Sequence, residues 1–170
     1  TRRSSDLYRS ETLPIVVGGG STKGISALGK RSADIAASSR FVSEHELAEL
    51  TDNGVYPVPF RIAYDAIVPI VNRKNRIRSL SLMQLAQIYR GDIRNWRELG
   101  GPDQPILVVS RTSDSGTRSV WHRLVVGTKT VPQGSQFTSN TDVVRTVFEH
   151  TGAIGYIGLG HLSANVKPLL

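Results

Sequence analysis

The sequence predicts an α/β fold with a largely parallel sheet. Short apolar runs that favour strands alternate along the chain with amphipathic stretches that favour helices, which is typical of strand–helix–strand units. Two strand-to-helix junctions, within residues 13–24 and 105–118, are rich in small, hydroxyl-bearing and glycine residues. Because α/β proteins bind ligands where strands end and helices begin, these junctions are the first candidates for a functional site.

Apolar and β-branched runs predict five strand segments. They cover residues 13–17, 33–37, 60–72, 105–110 and 152–158. The third run is too long for one average strand, so we expect it to cross from one half of the molecule to the other. The glycines of the last run allow tight backbone packing, and this run is a second candidate for such a crossing.

Helices are predicted where capping residues precede amphipathic stretches. Ser43 and Ser81 each have a Glu or Gln three residues on, which is the spacing of a capping box. Gly91 is expected to stop the helix that Ser81 begins. Further helical segments are predicted over residues 22–30, 96–99 and 117–125, and from Ser139 onward.

The second junction predicts a turn that binds an anion. A helix that opens on Ser115, Gly116 and Thr117 presents free backbone N–H groups, two hydroxyls and the positive end of the helix dipole to one point. Arg111, just before the turn, can add a planar fork of donors to the same point. A single turn of this kind is explained equally well if Ser115 or Thr117 only caps the helix.

The first junction repeats this pattern. An apolar strand over residues 13–17 leads into three glycines, Ser21 and Thr22, and a helix follows. Glycines let the backbone approach a ligand closely. Two such turns in one chain predict that a single tetrahedral oxyanion is held between two lobes.

The composition limits the class of protein and its partners. With 170 residues, 39% hydrophobic and 21% charged, the chain is expected to fold as one domain or two small lobes. The net charge of +7 favours anionic partners. Nucleic acid is not favoured, because the densest basic groups, residues 73–78 and 90–97, have no aromatic residues arranged for stacking and aromatics are only 6% of the chain. No apolar run approaches the roughly 20 residues that span a membrane.

Motifs of catalysis are missing from the sequence. Lys23 is followed by Gly24 rather than by Ser or Thr, so the first junction is not a P-loop. There is no Gly-x-Ser-x-Gly elbow, no His-Glu-x-x-His spacing and no cysteine. Asp114 precedes Ser115 directly, and neighbours in sequence rarely form a catalytic pair. We therefore expect a protein that is not an enzyme and that uses no cofactor and no metal.

Five segments, taken together, resemble the PstS-like phosphate-binding proteins of ABC transporters. They are residues 18–25, 34–40, 85–96, 110–118 and 152–158. They follow the family's order and extend over almost the whole chain. The resemblance implies a two-lobed periplasmic-binding-protein-like fold, with mixed, mostly parallel sheets and a hinge, that closes on a dehydrated phosphate.

The resemblance also implies a division of the chain into lobes. Residues 1–64 would form lobe I, with residues 159–170 returning to it, and residues 65–158 would form lobe II. Lobe I is expected to be incomplete, because the family begins with a strand and ligand loop before this region and usually continues beyond it.

Carried over residue by residue, the resemblance implies ligand positions in both lobes. Ser21 and Ser39 match ligand positions of lobe I, and the arginine and the Ser-Gly-Thr turn match those of lobe II. With the adjacent hydroxyls, the candidate ligand-binding residues are Ser21, Thr22, Ser38, Ser39, Arg111, Ser115, Gly116 and Thr117. Some family members have an aspartate where this chain has Ser39. An aspartate accepts a proton from phosphate and so rejects sulfate, whereas Ser39 can donate as well as accept, which leaves the preferred oxyanion open.

The function implied by the resemblance is capture of inorganic phosphate, or a similar tetrahedral oxyanion, for delivery to an ABC permease. The protein is expected to be a monomer in the periplasm or at the cell envelope, with a secretion signal outside this chain, without a membrane span and without a nucleic-acid partner. An oxyanion-sensing or adhesion module with the same fold and no transport role is the alternative.

Overall fold

The computed structural model describes residues 15–127 and 134–169. The helices are α1 (Ser21–Gly29), α2 (Glu44–Asp52), α3 (Leu82–Arg90), α4 (Gly116–Trp121) and α5 (Asn140–Glu149). The strands are β1 (Ile67–Asn72), β2 (Leu107–Arg111), β3 (Ser135–Phe137), β4 (Ala153–Gly158) and β5 (Val166–Pro168). Short 3-10 turns cover Trp96–Leu99 and Leu159–His161, and a π-helical turn over His122–Val126 continues α4.

The strands of the described residues form one mixed five-stranded sheet in the order β3-β2-β4-β1-β5. Strand β2 runs parallel to β3 and β4, whereas β1 runs antiparallel to β4 and β5. The predicted α/β class is confirmed, although the sheet is evenly mixed rather than largely parallel. The carboxyl ends of β2, β3 and β4 lie at one end of the sheet, as seen along its strands. The turn that follows β1 lies at the opposite end.

Helices cover both faces of this sheet. Alternate residues of β1 enter different cores, since Ile70 packs with Val143 and Val147 of α5, whereas Val71 packs on the side of α3 and Trp96. Such alternation is what the period of a strand requires when both faces are buried. The second half of the described chain is therefore a three-layer unit that holds the ends of β2 and β4 rigidly.

The capping residues at helix starts were predicted correctly. Ser43 and Ser81 accept hydrogen bonds from the backbone N–H groups of Glu46 and Gln84, and both capping boxes are complete. Gly91 ends α3 with φ of 77°, a left-handed conformation that glycine adopts without steric cost.

Residues 15–66 contain helices but no strand. The predicted strands at 33–37 and at the described part of 13–17 do not form, and residues 60–66 are not part of a strand either. Residues 13 and 14 lie outside the described part of the chain. Val17, Ile35 and Ile62 are 86%, 89% and 93% exposed. Apolar runs predict strands correctly only where a neighbouring strand can pair with them, and the described residues provide none here.

The end of the described chain adds a strand to the sheet, and the predicted division into lobes stays a prediction. Strand β5 pairs with β1, so that Ile70 lies opposite Pro168. Val166 packs in the core on one face of the sheet and Leu169 in the core on the other. These residues therefore extend the second-half sheet, because β1 offers an edge that β5 can pair with.

Candidate functional site

The two predicted turns lie in contact. The backbone N–H of Thr22, in the first turn of α1, donates to the carbonyl oxygen of Asp114, at 3.3 Å. The Lys23 ammonium lies 3.3 Å from the Asp114 carboxylate. Gly20 approaches the same backbone so closely that a Cβ there would be 2.2 Å from the Asp114 carbonyl oxygen. The start of α1 and the turn before α4 thus form the two sides of one site.

Two serine hydroxyls meet the first turn of α4. The Oγ of Ser21 accepts a hydrogen bond from the backbone N–H of Ser39, at 3.2 Å, and lies 3.4 Å from the Ser39 Oγ. A Cβ on Gly116 would be 2.1 Å from the Ser21 Oγ and 2.4 Å from the Ser39 Oγ. Only a glycine allows two hydroxyls this close to the helix backbone, so these three residues form the centre of the candidate site.

The N-terminus of α4 provides backbone donors at this point. Ser115 is 2% exposed, and its Oγ accepts from the backbone N–H of Arg118, at 3.3 Å. Ser115 therefore does cap the helix, but its hydroxyl keeps a proton to donate. Within the described residues, the N–H groups of Gly116 and Thr117 make no hydrogen bond, as is normal for the first turn of a helix.

Arg111 supplies the positive charge at the end of β2. Its Nε donates to the Phe137 carbonyl at 3.2 Å, its Nη2 to the Thr138 carbonyl at 2.6 Å, and its Nη1 to the Asn140 Oδ1 at 2.6 Å. Three of the five guanidinium N–H donors are used in this way, and the other two make no hydrogen bond within the described residues. Burial lowers the pKa of Arg111 and the nearby Tyr156 and Asp114 raise it, but a guanidinium remains charged at neutral pH.

Neighbouring groups compensate the negative charge of the Asp114 carboxylate at the site. Asp114 accepts a hydrogen bond from the Thr112 hydroxyl, at 2.6 Å, in addition to its ion pair with Lys23. The Thr112 hydroxyl is the main cause of the lowered pKa of Asp114, and Lys23 contributes to it. This carboxylate repels an incoming anion less than a free one would, because its charge is already shared with these partners.

Thr22 and Ser38 engage Arg40 instead of the centre of the site. The Thr22 Oγ1 accepts from the Arg40 Nη2 at 2.9 Å. The Ser38 Oγ donates to the Arg40 carbonyl at 2.6 Å and accepts from the Arg40 N–H at 3.2 Å. Both serve the local structure around the 38–40 turn, whereas Ser21, Ser39 and Gly116 come together.

Arg40 is a structural residue that the sequence did not indicate. Its guanidinium makes a bidentate pair with Glu46, with distances of 2.7 and 2.6 Å, and both side chains are largely buried. The hydrogen bond from Arg40 is the main reason that the pKa of Glu46 falls to about 2. The capping box predicted one partner of Glu46, but no local pattern predicted the second. Through this pair, the turn that carries Ser39 is fixed to α2.

Tyr156 is a second supporting residue that the sequence did not indicate. Its hydroxyl lies 2.9 Å from the Ser110 Oγ and accepts from the backbone N–H of Arg111 at 3.3 Å. Its ring stacks on Trp121, with centroids 4.6 Å apart. The tyrosine therefore connects the end of β2 to α4, and with them the arginine and the glycine of the site.

Two further properties concern residues 15–127 and 134–169 only. No helix there is long and apolar enough to cross a bilayer. In the same residues no three His, Asp or Glu side chains are grouped as metal ligands would be.

Residues 10–168 match the family described as a PBP superfamily domain, and the chain belongs to that superfamily. It is 33% identical to phosphate-binding protein PstS of Borreliella burgdorferi, over 87% of this chain and 54% of that protein. It is 30% identical to PstS of Bacillus subtilis, over 87% of this chain and 48% of that protein. The chain thus spans about half the length of these relatives.

Solved structures show the same relationship. A structure described as a phosphate ABC transporter substrate-binding protein with bound phosphate, from Clostridium perfringens, is 34% identical with a TM-score of 0.79, over 88% of this chain and 60% of that one. An ABC-type phosphate transport receptor from Vibrio cholerae is 35% identical with a TM-score of 0.70, over 94% of this chain and 65% of that one. The PstS-like resemblance and the fold are confirmed.

Proposed function

We propose that this chain captures inorganic phosphate, or a similar tetrahedral oxyanion, between the start of α1 and the start of α4, for delivery to an ABC permease. The observation that carries this proposal is the contact of the Ser21 and Ser39 hydroxyls with Gly116. This contact brings the donors of two distant turns to one point, and Arg111 is the last residue of the strand that leads to the second of these turns.

The donors at this point match a tetrahedral oxyanion in kind and number. They are the hydroxyls of three serines, the backbone N–H groups of Gly116 and Thr117, and two N–H groups of Arg111. Hydrogen bonds to a charged group contribute about 1.5–3 kcal/mol each. At about 2 kcal/mol each, five or six of them contribute about 10–12 kcal/mol, more than the roughly 8 kcal/mol of micromolar binding, which leaves a margin for closure and immobilisation.

Ligand entry requires the two turns to separate. Thr22 and Lys23 contact Asp114 directly, so an anion reaches the buried Ser115 only when these contacts open. In the closed arrangement an anion binds both turns at once. It therefore binds this arrangement more tightly than the open one and stabilises it. A permease could then distinguish the loaded from the empty form.

The similarities support phosphate and transport over other ligands and roles. The relatives from Borreliella burgdorferi and Bacillus subtilis are named phosphate-binding proteins, and the Clostridium perfringens neighbour holds phosphate. From these relatives we infer solute binding rather than catalysis, a permease as the partner, and a location outside the cytoplasmic membrane.

The test is calorimetric titration of the chain with phosphate, arsenate, sulfate and molybdate at two pH values. We expect phosphate to bind, and Arg111→Ala to weaken binding at least tenfold because it removes the positive charge of the site. Arg97→Ala is the matched control, since Arg97 is an exposed arginine in an exposed pair with Asp103. Equal affinities of both variants and the parent chain, with unchanged circular dichroism, would contradict the proposal.

A further inference from the structure

A second concave surface lies at the other end of the strands from the candidate site. The turn after β1 and the strand β5 form a pocket of about 680 Å³. Its cationic lining residues are Arg73, Lys74, Arg76, Arg78 and Lys167. No carboxylate is among the residues that line it, and none of these five cations has an ion-pair partner within the described part of the chain. We refer to these five residues as the basic pocket.

The turn that presents the basic pocket is held by buried side chains. Asn72 and Asn75 are 6% and 4% exposed. The Asn72 amide donates to the Phe148 carbonyl at 2.7 Å and accepts from the Lys74 N–H at 2.9 Å. The Asn75 Oδ1 accepts from the Ile77 N–H at 2.9 Å. The backbone is therefore fixed, and the cations project from a rigid support.

Two of the cations are themselves held in place. The Arg73 guanidinium donates to the carbonyl of Ala164, and the Lys167 ammonium donates to the carbonyl of Asn75. Burial lowers the pKa of Lys167, and the charge of Arg78 lowers it further. Like charges are thus kept close together without a counter-charge, an arrangement that an anion would relieve with little further ordering of side chains.

We propose that the basic pocket binds the phosphate groups of an anionic phospholipid surface. Three of its cations are arginines, whose forked donors suit phosphate oxygens. The lining has neither the aromatic anchor that is typical of protein interfaces nor an aromatic platform for unpaired bases. The choice of a membrane over duplex nucleic acid rests on the proposed function, since delivery to a permease takes place at a membrane.

The basic pocket and the candidate anion site lie at opposite ends of the strands, so both can be occupied at the same time. Val71 and Val108 both pair with Ile154. From that row β1 continues into the basic turn, whereas β2 continues in the opposite direction to Arg111. A surface bound at the basic pocket would therefore leave the site at the end of β2 accessible to its anion.

An array of phosphates suits this pocket better than one free ion. Exposed charges are screened within about 8 Å at physiological ionic strength, so a single phosphate would bind weakly. Each Lys or Arg near an anionic membrane strengthens binding about fivefold, and several act together. Removing three of the cations is therefore expected to weaken binding to the membrane by at least tenfold.

The experiment is sedimentation of the chain with vesicles of phosphatidylglycerol and phosphatidylcholine, and with vesicles of phosphatidylcholine alone. The test variant is Lys74→Gln/Arg76→Gln/Arg78→Gln, at three exposed positions of the basic pocket. The control, Lys30→Gln/Arg97→Gln/Arg123→Gln, changes three exposed positions elsewhere. Both variants lower the net charge of +7 by three. We expect a loss of at least tenfold for the test variant and of less than about threefold for the control.

Other outcomes overturn the proposal in distinguishable ways. Equal losses in both variants would mean that only the net charge matters. Release from the vesicles by millimolar inorganic phosphate would assign the pocket to a free ion, and preference for duplex DNA at equal phosphate concentration would assign it to nucleic acid. Calorimetric phosphate binding is measured in parallel and should be unchanged in both variants, so that failure of the proposed function is detected separately.

Discussion

The Oγ of Ser21 lies so close to Gly116 that a methyl group on the glycine would be 2.1 Å from it. Gly116→Ala must therefore push α1 and α4 apart at the point where they meet. We expect phosphate affinity to fall at least tenfold, because the two sets of donors no longer reach one anion together. Calorimetric titration measures this loss, and the far-ultraviolet circular dichroism should stay unchanged.

Gly160→Ala is the matched control for this substitution. No atom lies within 4 Å of the position that a Cβ on Gly160 would take. The control should bind phosphate with the affinity of the parent chain. If Gly116→Ala binds as tightly as Gly160→Ala, the contact between the two turns has no part in ligand binding.

Asn140 positions Arg111, and its loss should weaken binding without removing the charge. Asn140→Ala removes the acceptor that holds the Nη1 of Arg111 at 2.6 Å, while the Phe137 and Thr138 carbonyls remain. We expect phosphate affinity to fall by about three- to tenfold. This is less than the loss of more than tenfold that corresponds to about 1.5 kcal/mol, the low end for a hydrogen bond to a charged group, because the two carbonyls still hold the guanidinium. Thr141→Ala, at the next and exposed position of α5, is the control and should bind normally. Equal affinity of both variants would show that the two backbone carbonyls suffice to orient the guanidinium.

Ser39 should determine how well phosphate is distinguished from sulfate. A serine hydroxyl can donate to either anion, whereas a carboxylate only accepts and so needs a proton on the ligand. Ser39→Asp is expected to raise the ratio of phosphate to sulfate affinity at least tenfold in competitive titrations. Ser38→Asp introduces the same charge one residue away, in the turn with Arg40, and should change the ratio little. A similar change in both variants would mean that the added charge acts at a distance.

The sequence predicted the local features of this molecule well, because neighbouring residues decide them. The capping boxes at Ser43 and Ser81 and the stop at Gly91 depend on groups at most four residues apart. The strands predicted over residues 33–37, over the described residues 15–17 and over residues 60–66 did not form, since strand pairing depends on a distant neighbour. The same reason explains β5, whose three residues carry no strong pattern and form a strand only because the edge of β1 is available.

The candidate site was predictable in its centre but not in its support. Strand-to-helix turns with hydroxyls and glycine pointed to Ser21 and Gly116, and the structure places these residues in contact. Residues that orient the donors remained hidden, because Asn140 and Tyr156 act on Arg111 from other elements. A single amide or hydroxyl in a helix or strand looks the same in sequence whether it faces solvent or a buried guanidinium.

The buried pair of Arg40 and Glu46 should make the stability of the chain depend on acid pH. The pKa of Glu46 in the folded chain is lowered to about 2 from its ordinary 4.5, mainly by the hydrogen bond from Arg40. The unfolded state therefore binds the proton first, so the stabilisation is complete above pH 4.5 and is lost as the pH falls from about 4.5 to about 2. The free energy involved is on the order of 3 kcal/mol. Urea unfolding at pH 7 and pH 3 measures about 2 kcal/mol of it, because at pH 3 the loss is only partly complete.

Glu46→Gln tests the origin of this dependence, because a glutamine keeps the shape of the side chain but carries no charge. The variant should be less stable than the parent chain at pH 7 and should lose less stability between pH 7 and pH 3. Glu49→Gln is the control on the same helix. Glu49 is 66% exposed, and its pair with His45 is long, at 3.9 Å. An exposed pair of this kind contributes little to stability. If Glu49→Gln reduces the pH dependence as much as Glu46→Gln does, the acid sensitivity comes from the general charge of α2 and not from the bidentate pair. The turn that carries Ser39 would then be held by other contacts.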